Sequence, residues 1–452
     1  MQVAENLVII INLCLYVGLL LFCWIRFKWH NLSTIVSALY VIGATFSVLL
    51  YFSPLYGMTY SSKSVCTLQA CLYLFLVNFL LITSLCRCDI DKCKKLVQYN
   101  GQLLWSIQCL LCIILGVYLL FVIPDSVRKF FSGRDLAEMR DELYGTNTTG
   151  QPLLIALIGR IFGTTPILLL AIASIRIFLL KRLNVVDVIS VCLYFLFKMS
   201  TVFSVISRAT IVFSFMELAI VFFFFHAYIS KKVKVIIAVS ALIVIPTIYT
   251  IFSMITNARF GEGDRIEQEM TTFRYCGEAN LNFMALEYPD LKEPFWGYKQ
   301  FPLFRRLLGL PYDDGTTREG VTVFDTYIMD YYKYPNPTYI FHGLAGTIYF
   351  NVGFWGCLIV AALMNVMLRY SFWSTRRVSV MQVIMSIILA AYIGKGIFYG
   401  EYANESGNFL IVFLVLLTLF LNKFGYTKRF AGGRVRKKGL HHKRKKLPEK
   451  IE

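Results

Sequence analysis

Long apolar runs, separated by short polar segments, recur along most of this chain. A helix needs about 20 apolar residues to cross the roughly 30 Å hydrocarbon core of a bilayer. Eleven runs approach or reach that length: 7–25, 32–52, 66–86, 103–123, 157–179, 185–206, 209–229, 235–255, 347–368, 379–399 and 408–422. The composition agrees, since 57% of the residues are hydrophobic and only 16% are charged. The sequence therefore predicts an all-α polytopic membrane protein with about 11 transmembrane helices.

Basic residues indicate how the helices are oriented. The net charge of +18 comes largely from Lys and Arg in short loops between alternate runs and after Lys423, which is the positive-inside pattern of a membrane protein rather than a nucleic-acid interface. We expect the amino terminus to lie outside the cytoplasm and the carboxyl terminus inside it. The first run is interpreted as a span, not a cleaved signal, because Arg26 and Lys28 follow it instead of small residues.

This topology divides the chain into four parts. Residues 1–255 hold helices 1–8, residues 256–346 form a large extracytoplasmic loop domain, residues 347–422 hold helices 9–11, and residues 423–452 form a basic cytoplasmic tail. The loop is rich in charged, aromatic and proline residues, and it is too polar to span. We find no long internal repeat of the kind that many transporters show.

The cysteines do not indicate a disulfide framework, because only one of the 12, Cys276, falls in a predicted outer loop. Cys86, Cys88 and Cys93 are close in sequence, but no fourth ligand follows at the spacing of a zinc site. No metal and no cofactor are predicted.

Charged side chains inside apolar runs are functional candidates, since a charge at the bilayer centre costs about 2.5 kcal/mol or more unless it is paired or hydrated. Those that the predicted spans place at membrane depth are Arg160, Lys198, Arg208, Glu217 and Lys395. All five fall towards the predicted outer side. One interpretation is a basic, water-filled cavity suited to a phosphate-bearing ligand. The other is internal pairing, for example of Glu217 with Lys198.

Further candidates lie near that same side. Arg208 occupies a tight hairpin, ISRATIVF, and Arg259 follows the eighth run, with Arg265 and Arg274 close behind among acidic residues. Salt bridges on a surface helix are the simpler explanation of the last two. His342 is the one histidine placed outside, where the long loop re-enters the membrane. It is a candidate base, although a histidine that hydrogen-bonds a helix entrance would look the same.

From Arg160 onward the chain resembles the bacterial Wzy-type repeat-unit polymerases of O-antigen and capsule synthesis. The matching features are the hairpin arginine of SRATIVF, a large loop that opens with NARFG, the segment YCGEANLNF, and a closing Y-x-x-x-G-x-x-G from Tyr349 to Gly356. Ile206 and Ala209 depart from the glycines of the usual turn. Asn351 stands where an acidic residue is common, so it is not a catalytic candidate.

The resemblance implies a GT-C-like, metal-independent glycosyltransferase in the bacterial inner membrane. It would transfer a growing glycan from undecaprenyl diphosphate to the terminal hydroxyl of another lipid-linked repeat unit. Its partners would be these lipid-linked oligosaccharides, membrane lipids and a chain-length-regulating co-polymerase, without nucleic acid. A diphosphate leaves without a general acid, so the reaction needs cations for the diphosphate and one base.

The residues expected in these roles fall into three groups. His342 is the favoured base, with Glu278 and Asp325 as competitors. The expected diphosphate ligands are Arg208 and Arg259, followed by Arg160, Arg265 and Arg274. The expected sugar-stacking residues are Trp296, Tyr298, Tyr327 and Tyr339.

Two alternatives stay open at this point. An O-antigen ligase would share the fold and donor and differ mainly in its acceptor. A transporter or flippase for an anionic lipid-linked sugar would use the same basic cavity, but should also carry charges deep in both halves of the membrane.

Overall fold

The computed structural model describes the chain as a bundle of helices. It covers residues 2–53, 66–88, 101–130, 153–205, 208–237, 277–288, 301–310, 342–371, 378–398 and 405–424, with isolated positions and pairs between 239 and 400. Within these residues every regular element is helical except a two-residue antiparallel pair, β1 (Thr317–Arg318) with β2 (Val321–Thr322). The predicted all-α class is confirmed.

The helices follow the apolar runs closely. In chain order they are α1 (Gln2–Phe27), α2 (Leu32–Tyr51), α3 (Leu68–Thr83), α4 (Gly101–Phe130), α5 (Leu153–Phe162), α6 (Pro166–Ser174), α7 (Val185–Val205), α8 (Arg208–Phe225), α9 (277–288), α10 (Pro302–Leu307), α11 (Gly343–Ser371), α12 (Val380–Lys395) and α13 (Glu405–Phe424). Within the described residues, α1 packs along α2, α4 along α7, and α11 along α3.

Seven described helical segments are long and apolar enough to cross a membrane: α1, α2, α3 with the 3-10 turn that extends it to Arg87, α4, α7, α8 and α11. They coincide with seven of the predicted spans. The runs at 157–179, 379–399 and 408–422 coincide with shorter apolar helices. The run at 235–255 lies mostly outside the described residues, so the total of eleven stays a prediction.

Two of the predicted spans are not continuous helices. The run at 157–179 breaks after α5, and Thr165 Oγ1 donates to the Phe162 carbonyl before α6 begins at Pro166. Proline cannot supply an N–H within a helix but suits a first turn, so the helix restarts there. In α11, Gly353 has φ 69° and ψ −173°, which divides the helix in two. The run at 347–368 still coincides with a helical segment long enough to span, whereas the run at 157–179 is divided between α5 and α6.

Part of the predicted outer loop lies inside the bundle. Helix α9, which contains most of the YCGEANLNF segment, packs against α3 and α11 and approaches α2. The Ser47 hydroxyl of α2 donates to the Gly277 carbonyl at 2.8 Å, and the Asn280 amide donates to Ser47 Oγ at 3.1 Å. Leu281, Phe283 and Met284 are fully buried. The loop therefore contributes a buried helix to the membrane bundle.

Gly277 makes this close approach possible. A Cβ at position 277 would lie 2.5 Å from the backbone of Phe46, a contact that backbone atoms cannot relieve by changing rotamer. We expect Gly277→Ala to lower the free energy of unfolding by about 1–3 kcal/mol, as overpacking does in other cores. Unfolding in mixed detergent, followed by circular dichroism, measures the change. Gly18→Ala is the matched control, because a Cβ there meets nothing within 4 Å, and an equal loss in both variants would contradict the explanation.

The bundle has two distinguishable ends. At the first, which we call the His342 end, α11 begins, α8 begins and α12 ends. At the opposite Trp29 end, the turn between α1 and α2 meets the end of α3, where the Asn31 amide donates to the Cys86 and Cys88 carbonyls at 3.0 and 3.3 Å. Which end faces the cytoplasm stays a prediction.

Candidate functional site

A buried carboxylate binds two ammonium groups between α7, α8 and α12. Glu217 is 2% exposed, and its carboxylate contacts Lys198 Nζ at 3.1 Å. Lys395 Nζ forms a second ion pair with the same carboxylate. The Tyr194 hydroxyl donates to Glu217 Oε2 at 2.6 Å. We call these four residues the Glu217 cluster.

Helical spacing explains how the cluster is assembled. Tyr194 and Lys198 lie one turn apart on α7, so they present one face to α8. Phe213 and Glu217 are related in the same way on α8, and Lys395 Nζ lies 5.5 Å from the centre of the Phe213 ring. Lys395 is the last residue of α12, where a cation also favours the negative end of the helix dipole.

Burying these charged groups costs free energy unless they remain paired with one another. The Lys395 side chain is 1% exposed, whereas the Lys198 side chain is 15% exposed and so partly reaches the surface of the protein. Removing one partner from a buried ion pair leaves a charge that the apolar interior cannot solvate. Internal pairing of Glu217 with Lys198, one of the two interpretations of these charges, is confirmed. Lys395 joins that pair from a distant part of the sequence.

His342 lies where α11 and α12 meet. The Gly343 N–H donates to the Phe398 carbonyl, and the Leu344 N–H donates to the Gly396 carbonyl, both at 2.7 Å. The backbone N–H groups at the start of α11 have no partner within that helix. They donate instead to carbonyls just beyond α12. The Phe398 ring in turn packs edge to face on Phe213, with centroids 5.3 Å apart. The same helix ends therefore position both His342 and the Glu217 cluster.

The His342 ring is buried, with 7% of its surface exposed, and packs edge to face on Phe350. Glu278 is also buried, at 1% exposure, and its Oε1 accepts a hydrogen bond from the Asn282 amide at 3.3 Å. Ala279 approaches Gly343, so the sequence neighbours of the two candidate bases are in contact. The structure brings His342 and Glu278 to the same region of the bundle.

The arginines are only partly placed. Arg208 is the first residue of α8, two and a half turns before Glu217, so its backbone lies at the His342 end. Arg160 lies in α5, near the break before α6. The side chains of both lie outside the described part of the structure, as do the following residues in full: Arg259, Arg265, Arg274, Asp325, Tyr298, Tyr327 and Tyr339. Their roles, and the basic cavity, stay predictions.

Trp296 is the one predicted sugar-stacking residue that the described part of the loop includes. Its side chain is 71% exposed and its backbone has φ 48°. The Arg305 guanidinium of α10 donates to the Trp296 carbonyl at 2.6 Å, which fixes the turn, and α10 packs against α13. The indole is therefore available to a ligand, and sugar stacking stays a prediction.

A second buried ion pair was missed in the sequence. Arg176 Nε contacts Asp187 Oδ1 at 2.7 Å, and both side chains are at most 3% exposed. The Gln108 amide donates to Asp187 Oδ1 at 3.0 Å and to Ser190 Oγ at 2.8 Å, which joins α4 to the pair. An acidic residue in the first turn of an apolar run, with an arginine at the end of the preceding run, was the available signal.

The described residues show two further features. They hold no group of three His, Cys, Asp or Glu side chains that could bind a metal. An apolar groove of about 420 Å³ runs between α1 and α3, past Gly18 and Phe75, and none of the predicted site residues line it.

No protein-family model, curated protein or solved structure matches this chain.

Proposed function

We propose that this protein polymerises lipid-linked oligosaccharide repeat units. The observation that carries the proposal is the gathering of His342, Glu278, the Glu217 cluster and the start of α8 at one end of a membrane bundle. Each is a group that the reaction could use, and Arg208 and Glu278 lie within segments that resemble Wzy-type polymerases. The proposed location is the bacterial inner membrane, with the His342 end facing the periplasm.

The proposed reaction is a direct displacement at the anomeric carbon. The terminal hydroxyl of the acceptor repeat unit forms a bond to that carbon, while the bond to the undecaprenyl diphosphate oxygen breaks. The base accepts the hydroxyl proton, and the diphosphate leaves as an anion stabilised by nearby cations. Arg208 and Arg259 are the proposed diphosphate ligands. Lys198, which is partly exposed beside Glu217, would add positive potential to their site.

The test is a polymerisation assay with the full chain in lipid nanodiscs. Undecaprenyl-diphosphate-linked repeat units are added, and the glycans are separated by length after release from lipid. A ladder of longer glycans is expected. Single repeat units that persist throughout would reject the polymerase.

His342→Ala tests the base. We expect polymer formation to fall by about 10²–10⁴-fold, the usual contribution of general base catalysis, without loss of membrane insertion. His441→Ala, in the predicted tail, is the matched control. Near-normal activity of His342→Ala would transfer the role to Glu278 or Asp325, which glutamine and asparagine variants then distinguish.

A transporter of anionic lipid-linked sugars is the second candidate. The observation in its favour is the Arg176–Asp187 pair, because buried charges then occur towards both ends of the bundle. Liposomes that contain the protein and a fluorescent lipid-linked sugar separate the two functions. Movement of the sugar between leaflets without any longer glycan would favour the transporter.

A further inference from the structure

Two segments that carry basic residues meet at the Trp29 end, the turn between α1 and α2 and the segment that follows α8. The Trp29 ring packs on His226 with centroids 4.6 Å apart, and on Phe223 at 6.0 Å. Lys234 Nζ lies 3.4 Å from His226 Nδ1. Lys28 and His30 flank Trp29 in the sequence. We call Lys28, Trp29, His30, His226 and Lys234 the basic joint.

Hydrogen bonds fix the backbone of the basic joint. Lys28 has φ 67°, its N–H donates to the Trp24 carbonyl, and its own carbonyl accepts from Thr34 Oγ1 at 2.9 Å. On the other segment, Lys234 lies in the first turn of a helix at 231–237, where its N–H donates to the Ser230 carbonyl at 3.0 Å. Both lysines are therefore carried by hydrogen-bonded backbone, so little backbone entropy is lost when a ligand binds them.

Within the described residues, these cations form no ion pair with an acidic side chain. The ion pairs of the described residues involve Arg176, Lys198 and Lys395, none of which belongs to the basic joint. The neighbouring cations Arg26, Lys231 and Lys232 also form no ion pair with any described residue. An accumulation of cations without counter-charges attracts an anion.

Exposed apolar side chains surround the basic joint. Trp24 and Ile25, on the last turn of α1, are 55% and 83% exposed, and Phe223 on α8 is 41% exposed. Such side chains face lipid in a protein of this class, and tryptophan prefers the level of the lipid headgroups. The cations thus lie at the boundary between the apolar surface and water. A soluble anion would use only the cations, whereas a phospholipid also covers the apolar surface.

We propose that the basic joint binds the phosphate headgroup of an anionic phospholipid. Lys28 and Lys234 are the proposed phosphate ligands, and the Trp29 ring is the proposed contact of the glycerol backbone. The site is at the opposite end of the bundle from the proposed catalytic site, so it is independent of the polymerase proposal. Basic pockets between membrane helices bind anionic lipids for the same electrostatic reason.

Native mass spectrometry of the purified full chain, titrated with phosphatidylglycerol or phosphatidylcholine, tests this proposal. Wild type is expected to retain phosphatidylglycerol preferentially. Lys28→Asn combined with Lys234→Gln is expected to bind it about thirty-fold more weakly, because each basic residue near an anionic lipid contributes about 1 kcal/mol and about 1.4 kcal/mol is tenfold in affinity. Asparagine at position 28 tolerates the left-handed backbone.

Controls separate charge, folding and ligand source. Lys181→Asn, at a position with the same left-handed backbone (φ 52°), removes an exposed cation between α6 and α7 and should leave lipid binding unchanged. Lys234→Gln alone should weaken it about five-fold, and the thermal midpoint without lipid checks that each variant is folded. Equal binding by wild type and the double variant, or equal retention of both lipids, would overturn the proposal. Inorganic phosphate that raises the midpoint as much as phosphatidylglycerol does would assign the site to a soluble anion and overturn it as well.

Discussion

Replacing Glu217 with glutamine is expected to lower the free energy of unfolding by about 3–5 kcal/mol, the cost of breaking a buried ion pair by removing one partner. Glutamine matches the shape of glutamate but removes the charge that Lys395 and Lys198 share. The effect is large because Lys395 is almost completely buried and cannot turn its ammonium group to water. Detergent-mediated unfolding, followed by circular dichroism, measures it.

Lys395→Met is expected to be milder than Glu217→Gln. In that variant Glu217 keeps its contacts with Lys198 at 3.1 Å and with the Tyr194 hydroxyl at 2.6 Å. The double variant, Glu217→Gln with Lys395→Met, should be more stable than Glu217→Gln alone, because both buried charges are then gone. Strictly additive losses would show that the two side chains do not interact.

Loss of either proposed diphosphate ligand is expected to reduce polymer formation strongly. Under the proposed function, Arg208→Ala and Arg259→Ala should each lower polymer formation by about 10²–10³-fold, the usual loss when one group that stabilises developing negative charge is removed. Arg208→Lys should restore only part of the activity, because an ammonium group does not reproduce the two parallel hydrogen bonds that a guanidinium makes to phosphate. Gel separation of the released glycans measures polymer length and amount.

Two controls make this result specific. Arg182→Ala removes an exposed arginine between α6 and α7 and should leave polymer length unchanged. Circular dichroism and the gel-filtration profile show whether each variant is folded. Normal polymer from both Arg208→Ala and Arg259→Ala would remove the proposed diphosphate site, even if the protein proved to be a polymerase.

Charge pairing illustrates how far sequence reasoning reaches. Lys198 and Glu217 lie on two consecutive runs joined by a tight hairpin, so their contact could be predicted from proximity in the chain. Lys395 follows Glu217 by 178 positions, and nothing in a uniformly apolar run indicates which neighbour its charge meets. The Arg176–Asp187 pair joins the ends of two adjacent runs. It was missed because Arg176 could equally have faced the water.

The helix at 277–288 shows a second limit. Its polar residues, including Glu278 and Asn282, indicate a water-exposed loop by composition alone. The structure buries both and pairs them with each other. A buried polar group is acceptable when it is hydrogen-bonded, but the partner belongs to the fold and is not visible in the local sequence.

By itself, the sequence determined where the seven described membrane-length helices lie, because a segment of about 20 apolar residues leaves water wherever it occurs in a chain. It also identified Lys198, Glu217, Lys395 and His342 as unusual residues. Only the tertiary structure decided that the first three form one cluster and that α9 enters the bundle. Helices that are apolar on all sides carry no polar face to set their rotation, so the contacts between them follow from packing that involves the whole chain.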